Sequence, residues 1–207
     1  MNNYIIIGDS IVYGIGDFEN GGWATMFKKY VVKKDTTKIC NKFVHIVGFP
    51  GATSKDVLSK LDSILDCYKE DDFKNIVVLS IGINDAQYFN SDFKESKNKY
   101  KKNINCIVEK IFERGFGLII LGLTKIVLDE TNSECSFYTK DNNEEYETDL
   151  RIIMDNDNVL EQLCLEKKIK YISMKDSLTK DDYIDGLHPN TNGHRKIFEI
   201  MKKIIEE

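Results

Sequence analysis

An α/β fold with a doubly wound parallel sheet is the architecture this sequence predicts, on three observations. Segments of strand character alternate with segments of helical periodicity along the chain. The strand segments are short, nearly continuous apolar runs rich in Ile and Val, as expected of strands covered by helices on both faces. No internal repeat, proline-rich linker or low-complexity tract interrupts the pattern, and 207 residues suffice for one sizeable core but are short for two. Residues 1–207 therefore read as one domain.

The first strand is Tyr4–Ile7, which stops at Gly8-Asp9-Ser10. A Gly- and Asp-rich loop over residues 15–22 follows, and Trp23, Met26, Phe27, Tyr30 and Val31 then recur at the spacing of one helix face and read as core. Phe43–Val47 is the second strand, ending in Gly48-Phe49-Pro50-Gly51-Ala52-Thr53-Ser54. Thr53 or Ser54 caps the next helix, whose buried face is Val57, Leu58, Leu61, Ile64 and Leu65. The third strand, Ile76–Ile81, stops at Gly82-Ile83-Asn84-Asp85. A polar, Lys-rich segment leads to a helix with Ile104, Ile107, Val108, Ile111 and Phe112 on one face, closed by Gly115. Leu118–Leu123 is the fourth strand. Residues 127–148 are acidic and polar without periodicity, the mark of a long surface loop or a partly helical lid. A helix around Val159–Lys167, a fifth strand at Lys170–Met174 and a loop through Asp181–Asn190 precede the last helix. That helix carries Ile197, Ile200, Met201, Ile204 and Ile205, with Asn190 or Thr191 as its cap.

Composition narrows the function classes. Lys and Arg number 29 against 34 Asp and Glu, a net charge of −5 with no strongly basic block, which argues against a nucleic-acid partner. The opening apolar run is too short for a membrane span and lacks the flanks of a signal peptide, so a cytoplasmic location is expected. Five cysteines (Cys40, Cys67, Cys106, Cys135, Cys164) are odd in number, scattered and never spaced as CxxC, which favours reduced thiols over disulfides or a zinc site. Cys67, Cys106 and Cys164 fall among helical apolar positions and read as core.

In a parallel α/β sheet, ligands bind beyond the carboxyl ends of the strands. Ser10 follows the first strand, Gly51 the second, Asn84 the third, and Asp185 with His188 the fifth, so all project from one edge. Taken singly, Gly-Asp-Ser, Pro-Gly, Asn-Asp and Asp-Gly-Leu-His-Pro are ordinary turn chemistry. Together they have the parts of a nucleophilic site. A serine hydroxyl is a poor nucleophile unless a base takes its proton, and the base needs an acceptor on its other nitrogen. Asp185 lies three residues before His188 and can accept from Nδ1 while Nε2 faces Ser10. Pro189 keeps His188 at the mouth of the last helix. His45, in a strand, reads as structural, and His194, one to two turns into the last helix, as solvated or capping. Attack on a carbonyl develops charge on its oxygen, and each donor aimed there is worth roughly 3 to 4 kcal/mol of barrier. The backbone N–H groups of Ser10 and Gly51 and the Asn84 side-chain amide can supply three. Asp85 reads as a loop-stapling acceptor or a cap, and Asp9 as a structural residue that holds the turn presenting Ser10.

With those residues in view, the sequence resembles the SGNH hydrolases, also called the GDSL esterase and lipase family. Gly8-Asp9-Ser10 looks like the first block with its nucleophile, Gly51 in Pro-Gly-Ala-Thr-Ser like the glycine block, Gly82-Ile83-Asn84-Asp85 like the GxND block, and Asp185-Gly186-Leu187-His188 like the DxxH block. The match extends from residue 5 to about residue 200. It implies a flavodoxin-like, three-layer α/β/α fold with a five-stranded parallel sheet, and hydrolysis of carboxylic esters or thioesters without metal or organic cofactor. By the same resemblance Ser10 is the nucleophile, His188 the base and then acid, Asp185 its orienter, and Ser10, Gly51 and Asn84 the oxyanion donors. The family includes acetylxylan and other carbohydrate esterases, lysophospholipases, thioesterases and arylesterases, so membership names no substrate. The nucleophile lies near the N-terminus without a GxSxG elbow, unlike that of the α/β-hydrolases.

The segment 127–148 follows the fourth strand and is expected to overhang the same edge and set specificity. Its acidic residues, among them Asp129, Glu130, Glu134, Asp141, Glu144, Glu145 and Glu147, oppose only Lys140 within it and disfavour strongly anionic substrates by like-charge repulsion. The expected partner is a small, neutral, short-chain acyl ester, such as an O-acetyl group on a sugar, with neither nucleic acid nor a membrane span. Two other readings compete: a thioesterase or acyltransferase with the same site, and a non-catalytic flavodoxin-like binding module. Oligomeric state is not legible in the sequence.

Overall fold

The computed structural model describes residues 1–35, 41–88, 93–125, 147–148 and 150–206. Five strands, β1 (Asn2–Gly8), β2 (Lys42–Gly48), β3 (Lys74–Ser80), β4 (Gly117–Leu121) and β5 (Lys170–Ile172), form one all-parallel sheet in the order β2-β1-β3-β4-β5. Its helices are α1 (Ser10–Tyr13), α2 (Gly22–Lys33), α3 (Ser54–Tyr68), α4 (Phe93–Glu113), α5 (Leu150–Lys167) and α6 (Thr191–Glu206). α2 packs against α6, while α3, α4 and α5 pack in series, giving two helical layers. This is the expected three-layer α/β/α arrangement, in the flavodoxin strand order.

β1 is an interior strand, and its Ile5, Ile6 and Ile7 are fully buried, which is why Tyr4–Ile7 is apolar at every position instead of alternating. Gly8 of β1 is in register with Gly48 of β2 on one side and Ser80 of β3 on the other, so three strands end level and their loops emerge side by side. A Cβ on Gly8 would sit 2.2 Å from the Ser80 carbonyl oxygen and 2.4 Å from Val12, so the close approach itself demands glycine. The strand order reverses between β1 and β3, the switch point where such sheets hold ligands.

Several boundaries differ from the sequence reading. The Lys-rich segment is the beginning of α4, which starts at Phe93. α5 begins at Leu150, well before Val159, because its first half buries Asn156 and Asp157 and so carries no clean apolar stripe. Both polar side chains are bonded: Asn156 donates to the Gly82 carbonyl (3.0 Å), and Asp157 accepts from the Leu123 amide and the Tyr171 hydroxyl (2.8 Å each). Phe112 is exposed and Met26 only partly buried, so neither is core. Of the described cysteines, recorded as free thiols, only Cys164 is buried; Cys67 is exposed and Cys106 intermediate, which corrects their reading as core.

Most of the acidic segment lies outside the described residues. Its end, Glu147–Thr148, pairs antiparallel with Gln87–Tyr88, which directly follows the turn carrying Asn84. Among the described residues no helix is long and apolar enough to cross a membrane.

Candidate active site

Ser10 is the first residue of α1, a helix of only four residues immediately beyond β1. Asp9 caps it, accepting from the Ile11 amide at 2.9 Å, and Gly14 ends it in the left-handed region at φ 101°. The serine is thus fixed at both ends of a single helical turn and is 6% exposed. Burial pushes the Asp9 carboxyl up to about 6.

His188 must reach Ser10 from the far side, since β5 lies three strand spacings from β1, about 14 Å. The chain between β5 and α6 covers that distance along the carboxyl edge of the sheet, pinned as it goes. The Tyr183 hydroxyl donates to the Lys125 carbonyl (2.6 Å), and the Ile184 amide to the carbonyl of His188 (3.0 Å). Thr191 Oγ1 donates to Asp17 (3.0 Å), whose carboxylate also gathers the amides of Glu19, Asn20 and Gly22. The last pin is His194. Read from the sequence as solvated or capping, it is fully buried. Its Nδ1 accepts from the Trp23 amide at 3.2 Å, and its Nε2–H donates to the Ile15 carbonyl at 2.9 Å. It therefore caps α2 from α6, where Gly21 offers no side chain of its own. The cap of α6 is Asn190, which accepts from the Asn192 and Gly193 amides at 2.9 and 3.0 Å.

Asp185 organises the end of this span. Oδ1 accepts from the amides of Leu187 (3.0 Å) and His188 (2.7 Å), and Oδ2 faces His188 Nδ1 at 2.7 Å. A carboxylate only accepts, so Nδ1 carries the proton and Nε2 presents its lone pair to Ser10 Oγ, 3.0 Å away. Burial pushes the Asp185 carboxyl up, but the hydrogen bonds from the His188 ring and the two amides outweigh it and hold the group below its ordinary value. Ser10, His188 and Asp185 are brought together as the sequence predicts. The arrangement has the connectivity needed to transfer a proton from a hydroxyl to an oriented imidazole.

Gly51 is the third residue of a turn closed by the Ala52 amide on the Phe49 carbonyl (3.0 Å), with Pro50 second and Gly51 at φ 77°, the type II pattern. That turn uses the Ala52 N–H and not the Gly51 N–H. A Cβ at Gly51 would meet nothing within 4 Å, so glycine is required by the backbone, and the space beside the amide is open. Asn84 opens a single 3-10 turn (Asn84–Ala86) after β3 and is 7% exposed. One N–H of its amide donates to the Ala52 carbonyl at 2.9 Å, which leaves the second for a ligand. Gly82, at φ 142°, clears the Tyr100 hydroxyl, which bonds the Ile81 carbonyl (3.0 Å).

Asp85 is the stapling acceptor the sequence allowed for. It takes both the amide (2.8 Å) and the hydroxyl (2.5 Å) of Ser54, and Asn103 of α4 donates to the same hydroxyl at 3.0 Å. Burial pushes the Asp85 carboxyl up to about 6. Thr53, not Ser54, caps α3, in a capping box with Asp56. His45, on β2, packs its ring 4.6 Å from that of Tyr68, a structural position as expected. Among the described residues no group of three His, Cys, Asp or Glu side chains could hold a metal ion.

Comparison with known proteins follows the same line. Residues 6–196 match the model of the GDSL-like lipase/acylhydrolase family. No curated protein matches the sequence. Among solved structures, a member of the lipolytic G-D-S-L family from Veillonella parvula superposes with a TM-score of 0.71 at 16% identity, over 100% of both chains. A lipase/acylhydrolase from Enterococcus faecalis does so with 0.72 at 19% identity, over 99% of this chain and 95% of that one. A variant of an acetyl xylan esterase from Geobacillus stearothermophilus gives 0.71 at 18% identity, over 99% and 94%. At these identities the structural matches speak for the fold; the family match speaks for the sequence. The chain belongs to the GDSL-like lipase/acylhydrolase family and is on that ground a carboxylic ester hydrolase.

Proposed function

We propose that the protein hydrolyses neutral, short-chain acyl esters, with an O-acetyl group on a sugar as the favoured substrate, through an acyl-enzyme on Ser10. The observation that carries the reading is the unbroken relay from Ser10 Oγ to His188 Nε2 (3.0 Å) and from Nδ1 to Asp185 (2.7 Å). Ser10 Oγ attacks the ester carbonyl carbon while His188 Nε2 takes its proton. The tetrahedral oxyanion receives hydrogen bonds from the Ser10 and Gly51 amides and the second N–H of Asn84. Collapse breaks the bond to the alcohol oxygen, which leaves with the proton held by His188. A water molecule, deprotonated by the same nitrogen, then attacks the acyl-enzyme and releases the carboxylic acid and free Ser10. Asp185 keeps its charge throughout and stabilises the imidazolium between steps.

The preference for neutral substrates rests on the acid-rich composition of 127–148, which we take to be a specificity loop of the single domain spanning 1–207. The pairing of Glu147–Thr148 beside the Asn84 turn supports that reading, because it anchors one end of the segment next to the oxyanion donors. Five scattered cysteines, odd in number and never spaced as CxxC, favour a reducing, cytoplasmic setting. A panel of p-nitrophenyl esters of increasing acyl length, run beside acetylated xylo-oligosaccharides and an acyl-CoA, tests the proposal. Activity should be highest on acetyl esters and lowest on the anionic thioester. Preference for acyl-CoA or for chains beyond about six carbons would overturn it.

A further inference from the structure

Gly51 and Asn84 follow strands that are not neighbours. β2 and β3 flank β1, so no backbone ladder joins the two loops at the level where both donors must converge. Side chains make that connection across the end of β1. One bridge is the Asn84 amide on the Ala52 carbonyl (2.9 Å). The other is Asp85, which takes the Ser54 amide on one oxygen (2.8 Å) and the Ser54 hydroxyl on the other (2.5 Å). Ser54 is fully buried and is the first residue of α3, so its amide lacks an intrahelical acceptor and needs one from outside. Thr53 serves the Asp56 amide instead. A carboxylate at a helix N-terminus also meets the positive end of its dipole.

We propose that Asp85 is a positioning residue of the oxyanion hole: its two bonds to Ser54 lock the turn bearing Gly51 and the turn bearing Asn84 into one unit. The inference rests on the reading above that these two residues receive the oxyanion. Both carboxylate oxygens are needed. Ser54 Oγ accepts from Asn103 and gives its one proton to Asp85; an amide at position 85 would keep the bond from the Ser54 amide on its oxygen, while its nitrogen could only donate to the hydroxyl, so the charge-assisted bond from that hydroxyl would be lost. Charge and position make opposite demands here. A negative group beside a developing oxyanion disfavours it, so if only charge mattered, neutralising Asp85 would raise kcat. As a brace, its removal lowers kcat, because small misplacements of aligned groups are costly.

The test is a kinetic cycle on p-nitrophenyl acetate with Asp85→Ala, Asp85→Asn, Asn84→Ala and the double variant Asn84→Ala/Asp85→Ala, each checked for an unaltered circular-dichroism spectrum. Asp85→Ala should lower kcat about 10-fold or more at nearly constant KM, with Asp85→Asn between it and the native protein. In the Asn84→Ala background the further loss from Asp85→Ala should shrink to a small fraction of its single effect. An unchanged or raised kcat in Asp85→Ala, or losses that simply multiply, would overturn the brace. Ser54→Ala, which deletes the hydroxyl arm alone, should show a smaller loss in the same direction, and serves if Asp85→Ala does not fold. Inactivity of the native chain would count against the esterase reading alone. The brace is then judged by amide hydrogen exchange, which should accelerate in the variant at Gly51–Ser54 and Asn84–Ala86 while β1 stays protected. Unaltered exchange there would refute it.

Discussion

The Asp9 carboxyl is a group whose ionisation the fold works against. Burial is the largest cause of its rise from 3.8 to about 6, against the opposing hydrogen bond from the Ile11 amide. With its folded value raised, the contribution to stability is fully present below the unfolded value and is lost as pH rises to about 6, leaving a cost on the order of 3 kcal/mol at neutrality. Asp9→Asn keeps an acceptor for Ile11 and removes the charge. Its melting temperature should exceed that of the native protein at pH 7.5, and the advantage should vanish near pH 4; an equal advantage at both would show that charge burial is not the cause. Asn84 lends itself to a similar separation. Asn84→Ala should lower kcat for p-nitrophenyl acetate about 10²- to 10³-fold with little change in KM, whereas an effect confined to KM would make it a ground-state binding residue. The Asp185/His188 pair was legible because it is local: three residues in a turn leave few geometries. The bond between Ser54 and Asp85 was half legible. Asp85 had the marks of a staple, but its partner lies 31 residues away and passed for a cap.

At the scale of elements, apolar periodicity located every strand of the sheet and failed where helices bury polar groups or open on charged residues. α5 hides Asn156 and Asp157 at its start, and α4 opens on a Lys-rich run. His194 followed the same rule. It stands three residues before Ile197 and seven before Met201, on the buried face of α6, and the position carried the signal that the residue type concealed. Its ring closes α6 onto the start of α2 and onto the loop behind α1. His194→Ala would orphan the Trp23 amide and the Ile15 carbonyl and leave a void. It should cost about 2–4 kcal/mol in urea unfolding, while a loss under about 0.5 kcal/mol, the range of an ordinary surface substitution, would contradict the capping role and favour the solvated one.

For the whole molecule, parallel alternation alone implied that Ser10, Gly51, Asn84, Asp185 and His188 share one edge. It did not imply the strand order, because which strands pair is decided by contacts between distant segments. That order sets the two demands the molecule has to meet. The Gly51 and Asn84 loops must be joined over the end of β1, and His188 must be carried from the outermost strand back to β1. Side-chain bridges meet the first and the pinned span from β5 to α6 meets the second, so the site depends on long-range contacts that no single motif contains. We propose that these contacts make Ser10 a nucleophile with His188 as its base. Mass spectrometry of the intact chain after exposure to a fluorophosphonate at neutral pH, with the adduct mapped by peptide, measures it directly. One adduct on Ser10 is expected, absent in Ser10→Ala and formed at least about 10²-fold more slowly in His188→Ala. An unlabelled native chain, an adduct on another residue, or labelling of His188→Ala at the native rate would contradict it.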